Sequence, residues 1–358
     1  MNKSKKSMLT GFVILLIVIA AAGTYGVLRR KKASLVTLSG YVGGEKIHFL
    51  EDEDTVRILE KDYGITLDIH KAGSLDMVRA RDLESRDFLW PSSQTALELF
   101  EDTTDLSFKD DITFNTPIVL YSRKPVADAL VKSGLARMEG DCYFADMPKL
   151  IEALRKDTSW QDIGLDALYG DISIHTTDPS KSNSGNMFSG LTANMLNGRK
   201  VVTESDVGKI LPDLQKIFAK IGYMETSSYD LFSLFLSTGI GNKPIVAGYE
   251  NQLLEFSVMH PEEWERVKSD IVLLYPEPTV WSSHIFIALN EDAERLMHAL
   301  QDERLQKIAW EKHGFRSGVY GVSSPEELFS VKGVAPEIKR IIQMPGYKAM
   351  RLIVEAFE

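Results

Sequence analysis

The residues with the most chemical promise lie in one run, Thr177-Asp178-Pro179-Ser180-Lys181-Ser182-Asn183-Ser184-Gly185. Hydroxyl and amide side chains of this length favour helix N-caps, where they satisfy backbone N–H groups that have no partner within the helix. The same turn presents outward-facing N–H groups at the positive end of a helix dipole, which suits an anion or a neutral polar ligand. An ordinary cap is the competing reading of this run taken alone. Motifs for covalent, metal or nucleotide chemistry are missing from the chain: there is no G-x-S-x-G, H-E-x-x-H, G-x-x-x-x-G-K-[ST] or G-x-G-x-x-G. The histidines (His48, His70, His175, His260, His284, His298 and His313) include no i, i+4 pair, and Cys142 is the only cysteine, which excludes an intrachain disulfide. His175 adjoins the polar run and either orients a ligand or packs at a strand end.

A strand over Ile172–Thr176 and a helix beginning at Asn183 would position this run. The same order, a strand, then small polar residues, then a helix start, recurs along the chain. Leu35–Ser39 is read as a strand followed by a flexible Gly40–Gly44 loop, and Ile65–Ile69 as a strand followed by Ala72-Gly73-Ser74. Asp87–Trp90 is a strand followed by Pro91-Ser92-Ser93, and Pro244–Gly248 one followed by Tyr249-Glu250-Asn251. Alternation of this kind is the signature of an α/β fold with a largely parallel sheet. Ligands of such sheets bind beyond the carboxyl ends of the strands, where the helices begin. Ile112–Ser122 is longer than the other strands and is read as crossing between two lobes. Ser283–Leu289 returns, and helices over Glu291–Trp310 and Pro336–Ala356 complete the first lobe.

The net charge of −10 is unevenly spread. All seven basic residues of the first 34 positions stand without an acid, and the remainder carries 34 basic against 51 acidic residues, a net −17. A surface this acidic repels nucleic acid, so no nucleic-acid partner is expected. Met8–Leu28 is a run of 21 uncharged positions between basic flanks, long enough to span a bilayer. A cleavable signal peptide competes, given Ala20-Ala21-Ala22, but the apolar run continues to Leu28 and favours an uncleaved anchor. The basic flanks are nearly balanced, so orientation does not follow from charge.

The order of elements resembles the type II periplasmic binding-protein fold, that of the extracellular solute-binding proteins of ABC importers. The resemblance covers about Leu35 to Val322. It is carried by Ala72-Gly73-Ser74-Leu75, Trp90-Pro91-Ser92-Ser93, the hinge-like Asn115-Thr116-Pro117-Ile118-Val119, and Thr177–Gly185. Ala247-Gly248-Tyr249-Glu250 and Tyr275-Pro276-Glu277-Pro278-Thr279 complete the set. The Asp-Pro-Ser-x-Ser-x-Ser-Gly run is similar to the second-lobe anion loop of molybdate-, sulfate- and ferric-iron-type members. The resemblance implies two α/β lobes, each a central mostly parallel sheet flanked by helices, closing on a ligand by hinge motion. It divides the chain into an anchor with basic flanks (1–34), a discontinuous first lobe (35–118 and 284–358) and a second lobe (119–283) carrying the Asp178–Gly185 loop.

On that frame the expected ligand-binding residues are Gly43, Gly44, Ser74 and Ser93 from the first lobe. From the second come Ser182, Asn183, Ser184, Tyr249, Glu250 and Thr279. The implied function is non-enzymatic: an extracytoplasmic, membrane-tethered protein that captures a small polar solute, with an oxyanion as candidate, for ABC-type uptake. No cofactor or metal is expected, and the partners implied are that solute, an ABC permease or another membrane protein, and the membrane through residues 8–28. The sequence departs from the family in its apparent anchor, in lacking a tyrosine pair of the kind iron binders use, and in having no obvious arginine in the loops. Glu250 and Glu277 near the cleft would disfavour an anion, with simple solvent exposure as the alternative. A tethered sensor or partner-binding module on the same clam-shell is the second reading, and a hydrolytic enzyme the third.

Overall fold

The computed structural model describes residues 35–357. Its strands are β1 (Val36–Val42), β2 (Ile65–Lys71), β3 (Phe88–Trp90), β4 (Lys109–Arg123), β5 (Ala136–Glu139), β6 (Cys142–Asp146), β7 (Ile245–Tyr249), β8 (Ile271–Glu277), β9 (Trp281–Ala288) and β10 (Arg316–Ser317). They form a continuous path in the order β2-β1-β3-β9-β4-β8-β6-β5, with β7 and β10 also paired to β4. The organising element is the 15-residue β4. Its first part pairs with β9 as far as Pro117, and from Ile118 onward it pairs with β7 and then β8. One strand therefore belongs to two sheets. Pro117, which has no N–H to donate, sits at the changeover.

The sheets are mixed, not mostly parallel as expected. β1 runs parallel to β2 and β3, and β6 to β8, but β4 and β9 pass between the lobes and run antiparallel to their neighbours. Crossing strands that leave one lobe and return to it must run in opposite directions, which alternating apolar segments do not reveal. β1 also extends through Gly40 into what had been read as loop. A Cβ at Gly40 would lie 2.5 Å from the Phe88 carbonyl oxygen, so only glycine lets β3 approach this closely. The Ile172–Thr176 segment is extended but reduces to a bridge beside β7, in which the His175 N–H donates to the Ile245 carbonyl (2.8 Å) and its carbonyl accepts from Ala247 (2.8 Å).

Four buried clusters pack against the sheets, and two of them bear on the site. The first is aromatic: Phe49, Phe88, Trp90, Phe114 and Phe286 are all fully buried, and Phe88 stacks on Phe286 at 5.1 Å between centroids. The second gathers around the helix Asn183–Leu196, which is buried on every side from Ser184 to Met195. The expected helix over Pro336–Ala356 is only Tyr347–Glu355. It packs Ala349, Met350 and Ile353 into this second core, and Gly190 gives room for the side chains of Met344 and Met350. Among the described residues, no helix is long and apolar enough to cross a membrane. The candidate anchor over residues 8–28 lies outside the described residues.

Candidate functional site

Three turns of the first lobe converge beneath the crossing strands. The turn after β1 folds into the single 3-10 turn Gly44–Lys46, which drives Lys46 inward until its side chain is 0 % exposed. A buried ammonium requires partners for its charge and its protons. Lys46 Nζ donates to Glu45 Oε1 (2.6 Å), Ser92 Oγ (2.7 Å) and His284 Nδ1 (3.1 Å), one acceptor for each proton. The Ser92 hydroxyl in turn donates to Glu45 Oε1, and the Ser92 N–H to Ser74 Oγ (3.0 Å). Trp90 places its ring 5.6 Å from the ammonium, a distance suited to cation–π attraction.

The second lobe meets this cluster through one side chain. Asn183 Nδ2 donates to the Ser92 carbonyl (3.0 Å) and to the Tyr249 hydroxyl (3.0 Å), and Ser282 on β9 donates to the same carbonyl (2.8 Å). The helix-start turns of both lobes are thus in direct contact, with Ser92 as the shared point. Gly185 is what brings the polar loop onto its helix: a Cβ there would lie 2.1 Å from the Thr177 carbonyl oxygen.

Charge in the cluster is set by burial. Burial pushes the Glu45 carboxyl up, but the Lys46 charge and the hydrogen bonds from Lys46 and Ser92 outweigh it and hold the group down at about 2. Burial pushes Lys46 down, opposed by Glu45, and pushes His284 well below its usual range, with Lys46 adding to the effect. His284 is therefore neutral. Since Nδ1 accepts from the ammonium, the ring proton sits on Nε2, a buried donor that has no partner among the described residues. Burial, then the Glu45 charge, raises Tyr249 and keeps its hydroxyl protonated.

A carboxyl depressed from 4.5 to about 2 contributes stability that is complete above its unfolded value and is lost as pH falls through the folded one. The cost of burying protonated Lys46 is constant over the same range and adds no slope. Urea denaturation between pH 6 and pH 2 should accordingly show the wild type losing about 3 kcal/mol more than Glu45→Gln. Parallel pH profiles for the two proteins would show that Glu45 is not held as an anion.

Neither a protein-family model nor a curated protein sequence matches the chain. Its shape is shared widely among solved structures. An extracellular solute-binding protein from Bordetella parapertussis superposes with a TM-score of 0.61 at 14% identity, covering 90% of this chain and 97% of that one. The apo ferric ion-binding protein A of Pasteurella haemolytica gives 0.57 at 15% identity, covering 89% and 96%. A sulfate-binding protein from Mycobacterium tuberculosis gives 0.50 at 15% identity, covering 87% and 94%. The chain has the type II periplasmic binding-protein fold.

Ser92 and Asn183 meet where the two lobes touch. Of the residues singled out from sequence, the structure gathers Ser74, Asn183 and Tyr249 around Ser92. Gly43 and Gly44 flank the Lys46 turn, and Ser93 is the next residue, buried as the N-cap of helix Gln94–Thr103 without a side-chain capping bond. Ser182 and Ser184 turn toward each other (3.1 Å), and Ser184 binds Thr177 (2.7 Å) within its own lobe. Thr279 is fully buried and donates to the Ile118 carbonyl (2.6 Å).

Glu250 is 0 % exposed and committed to a two-pronged pair with Arg316 (2.6 and 2.7 Å) and to the Tyr275 hydroxyl (2.6 Å). Glu277 binds Arg137 (2.6 Å) and Arg340 (3.3 Å). Neither carboxylate is the free cleft charge or the solvent-facing group that its loop position suggested. His175 stands away from Ser92 and Asn183 as a bridge residue, with burial lowering its ring to about 4. Lys46, Glu45, Ser282 and His284 were missed. The Gly43-Gly44 pair reads as flexibility, whereas Gly43 gives room for the Glu45 carboxylate and Gly44 opens the 3-10 turn that buries Lys46. Among the described residues, no group of three or more His, Cys, Asp or Glu is arranged to hold a metal ion.

Proposed function

We propose that this chain captures a small polar solute between its lobes by hinge closure, as an extracytoplasmic body tethered through residues 8–28. The observation that carries the reading is the polar contact at the interlobe seam. Ser92 of one lobe, Asn183 and Tyr249 of the other and Ser282 of the crossing strand are joined there by hydrogen bonds. Delivery to an ABC-type permease accords with the solute-binding and ABC-transporter proteins that share this fold, and the acidic body accords with a non-nucleic-acid role. The lobes that move would be 35–117 with 283–317, and 118–282 together with 329–335 and the closing helix Tyr347–Glu355, which pack on second-lobe residues.

The full chain in detergent should be screened by thermal shift against oxyanions, carboxylates, metal ions, amino acids and polyamines. A captured solute stabilises the fold by mass action, by about 2.7 kcal/mol at a hundredfold excess over Kd, and so raises the melting temperature. Asn183→Ala should reduce that shift, because it removes both seam bonds. A panel in which no solute moves the transition refutes capture and leaves the tethered sensor or partner-binding reading.

A further inference from the structure

The seam between the lobes already holds a carboxylate, and it belongs to the protein. Lys46 is wholly buried, while its neighbour Glu45 remains 17% exposed at the side chain, and both hydrogen bonds that Glu45 receives fall on the single oxygen Oε1. Its carboxylate is folded back over Gly43, where a Cβ would lie 2.3 Å from Oε1 and 2.7 Å from Oε2. A side chain larger than hydrogen at position 43 is incompatible with this pose. The cradle around Oε1 is built for one negative charge: one ammonium and one hydroxyl donate to it, the ammonium held in place by the His284 imidazole and the Trp90 ring and the Ser92 backbone by Ser74. Tyr249 accepts from Asn183 and keeps its own proton available to donate.

Resting on the reading of solute capture, we infer that Glu45 is an intramolecular stand-in for the solute, and that the solute is a small monocarboxylate which displaces Glu45 from Lys46 and Ser92. A singly charged planar head group reproduces what the cradle now holds. A dianion such as sulfate would leave one charge without a partner in a site that offers a single cation. The partial exposure of Glu45 gives it a way out to solvent when it is displaced. Lys46 and Ser92 are then the groups that select charge, and Glu45 sets how tightly the solute is held by competing for the same place.

The test uses the full chain with sodium acetate and sodium lactate as probes, and with sodium sulfate and sodium chloride at matched ionic strength as controls. Binding is read by calorimetry and melting temperature. Glu45→Gln retains the side chain's shape without its charge, and Gly43→Ala expels the carboxylate while leaving Glu45 intact. Both should bind the carboxylates about tenfold more tightly than the wild type, as expected for removing a charge-assisted competitor. Glu45→Ala should behave likewise and be restored in melting temperature by acetate. Lys46→Met in any of these backgrounds should abolish the gain, and sulfate should show none.

Affinity that is unchanged or weaker in both Glu45→Gln and Gly43→Ala overturns the inference, as does binding indifferent to Lys46→Met. If the wild type binds some other solute of the panel independently of Lys46, the inference fails and capture stands. If neither the wild type nor any variant binds a solute, both fail.

Discussion

Replacing Glu250 by alanine is expected to cost about 3–5 kcal/mol of stability, the range for removing one partner of a buried ion pair. Glu250 has no exposed surface, and Arg316 presents only 9% of its side chain, so the guanidinium would be left in the interior without a counter-charge. The loss would extend beyond the pair. Tyr275 gives its hydroxyl proton to Glu250, and Arg316 also donates to the Ala335 carbonyl (2.6 Å), so helix Glu250–Met259, β8, β10 and the 335–336 segment share one knot. Urea denaturation of the full chain should show the midpoint falling sharply for Glu250→Ala. Lys109→Ala, which breaks the exposed pair with Glu294, should change stability by less than about 1 kcal/mol. A double replacement, Glu250→Leu with Arg316→Met, should recover much of the loss, since it removes both charges together. Equal small effects from Glu250→Ala and Lys109→Ala would show that the buried pair does not hold the crossing together.

The second large effect is expected at Gly185. Alanine there puts a methyl 2.1 Å from the Thr177 carbonyl oxygen and 2.9 Å from the Asp178 carbonyl carbon, both backbone atoms that cannot rotate aside. The loop must move. Overpacking of this kind costs about 1–3 kcal/mol, and the displacement would carry Asn183 away from Ser92. Trypsin cleavage after the exposed Lys181 should accelerate in Gly185→Ala, alongside the drop in stability. Gly208 is the internal control: it lies inside helix Glu204–Ala219 with nothing within 4 Å of a built Cβ. Gly208→Ala should stabilise by about 0.5–1 kcal/mol through helix propensity and the unfolded chain's lost freedom. The same substitution should thus have opposite signs at two helical glycines. Matching signs would contradict the packing at Thr177–Gly185.

Both expectations rest on features that differ in how visible they are along the chain. The Asp178–Gly185 loop, its N-cap at Ser182 and the helix from Asn183 are readable because capping and turn formation depend on residues within a few positions of one another. The order of strands and helix starts is readable for the same reason, and it suffices for the lobed α/β architecture. The mixed direction of the sheets is not, since antiparallel crossing strands have the same local pattern as parallel ones. The packing of the C-terminal helix is hidden for a related reason: its apolar face at Ala349, Met350 and Ile353 does not say which core it joins.

Glu250 shows the limit most plainly. Its position at a strand-to-helix turn marks it as a cleft residue, and only the return of the chain 66 residues later, bringing Arg316, turns it into a structural pair. Lys46 is the converse. A lysine two positions after a glycine pair reads as a solvated loop residue, yet its charge is buried because Ser92, 46 positions on, and His284, 238 positions on, supply acceptors.

Local sequence dictates helix-start turns rich in hydroxyls and amides within an α/β fold. Which of those groups face each other, and that a charged pair sits among them, follows from the packing of distant segments. The physical reason is that capping and periodicity are local. The burial of an ion pair depends on whether distant segments complete its hydrogen bonds and exclude water.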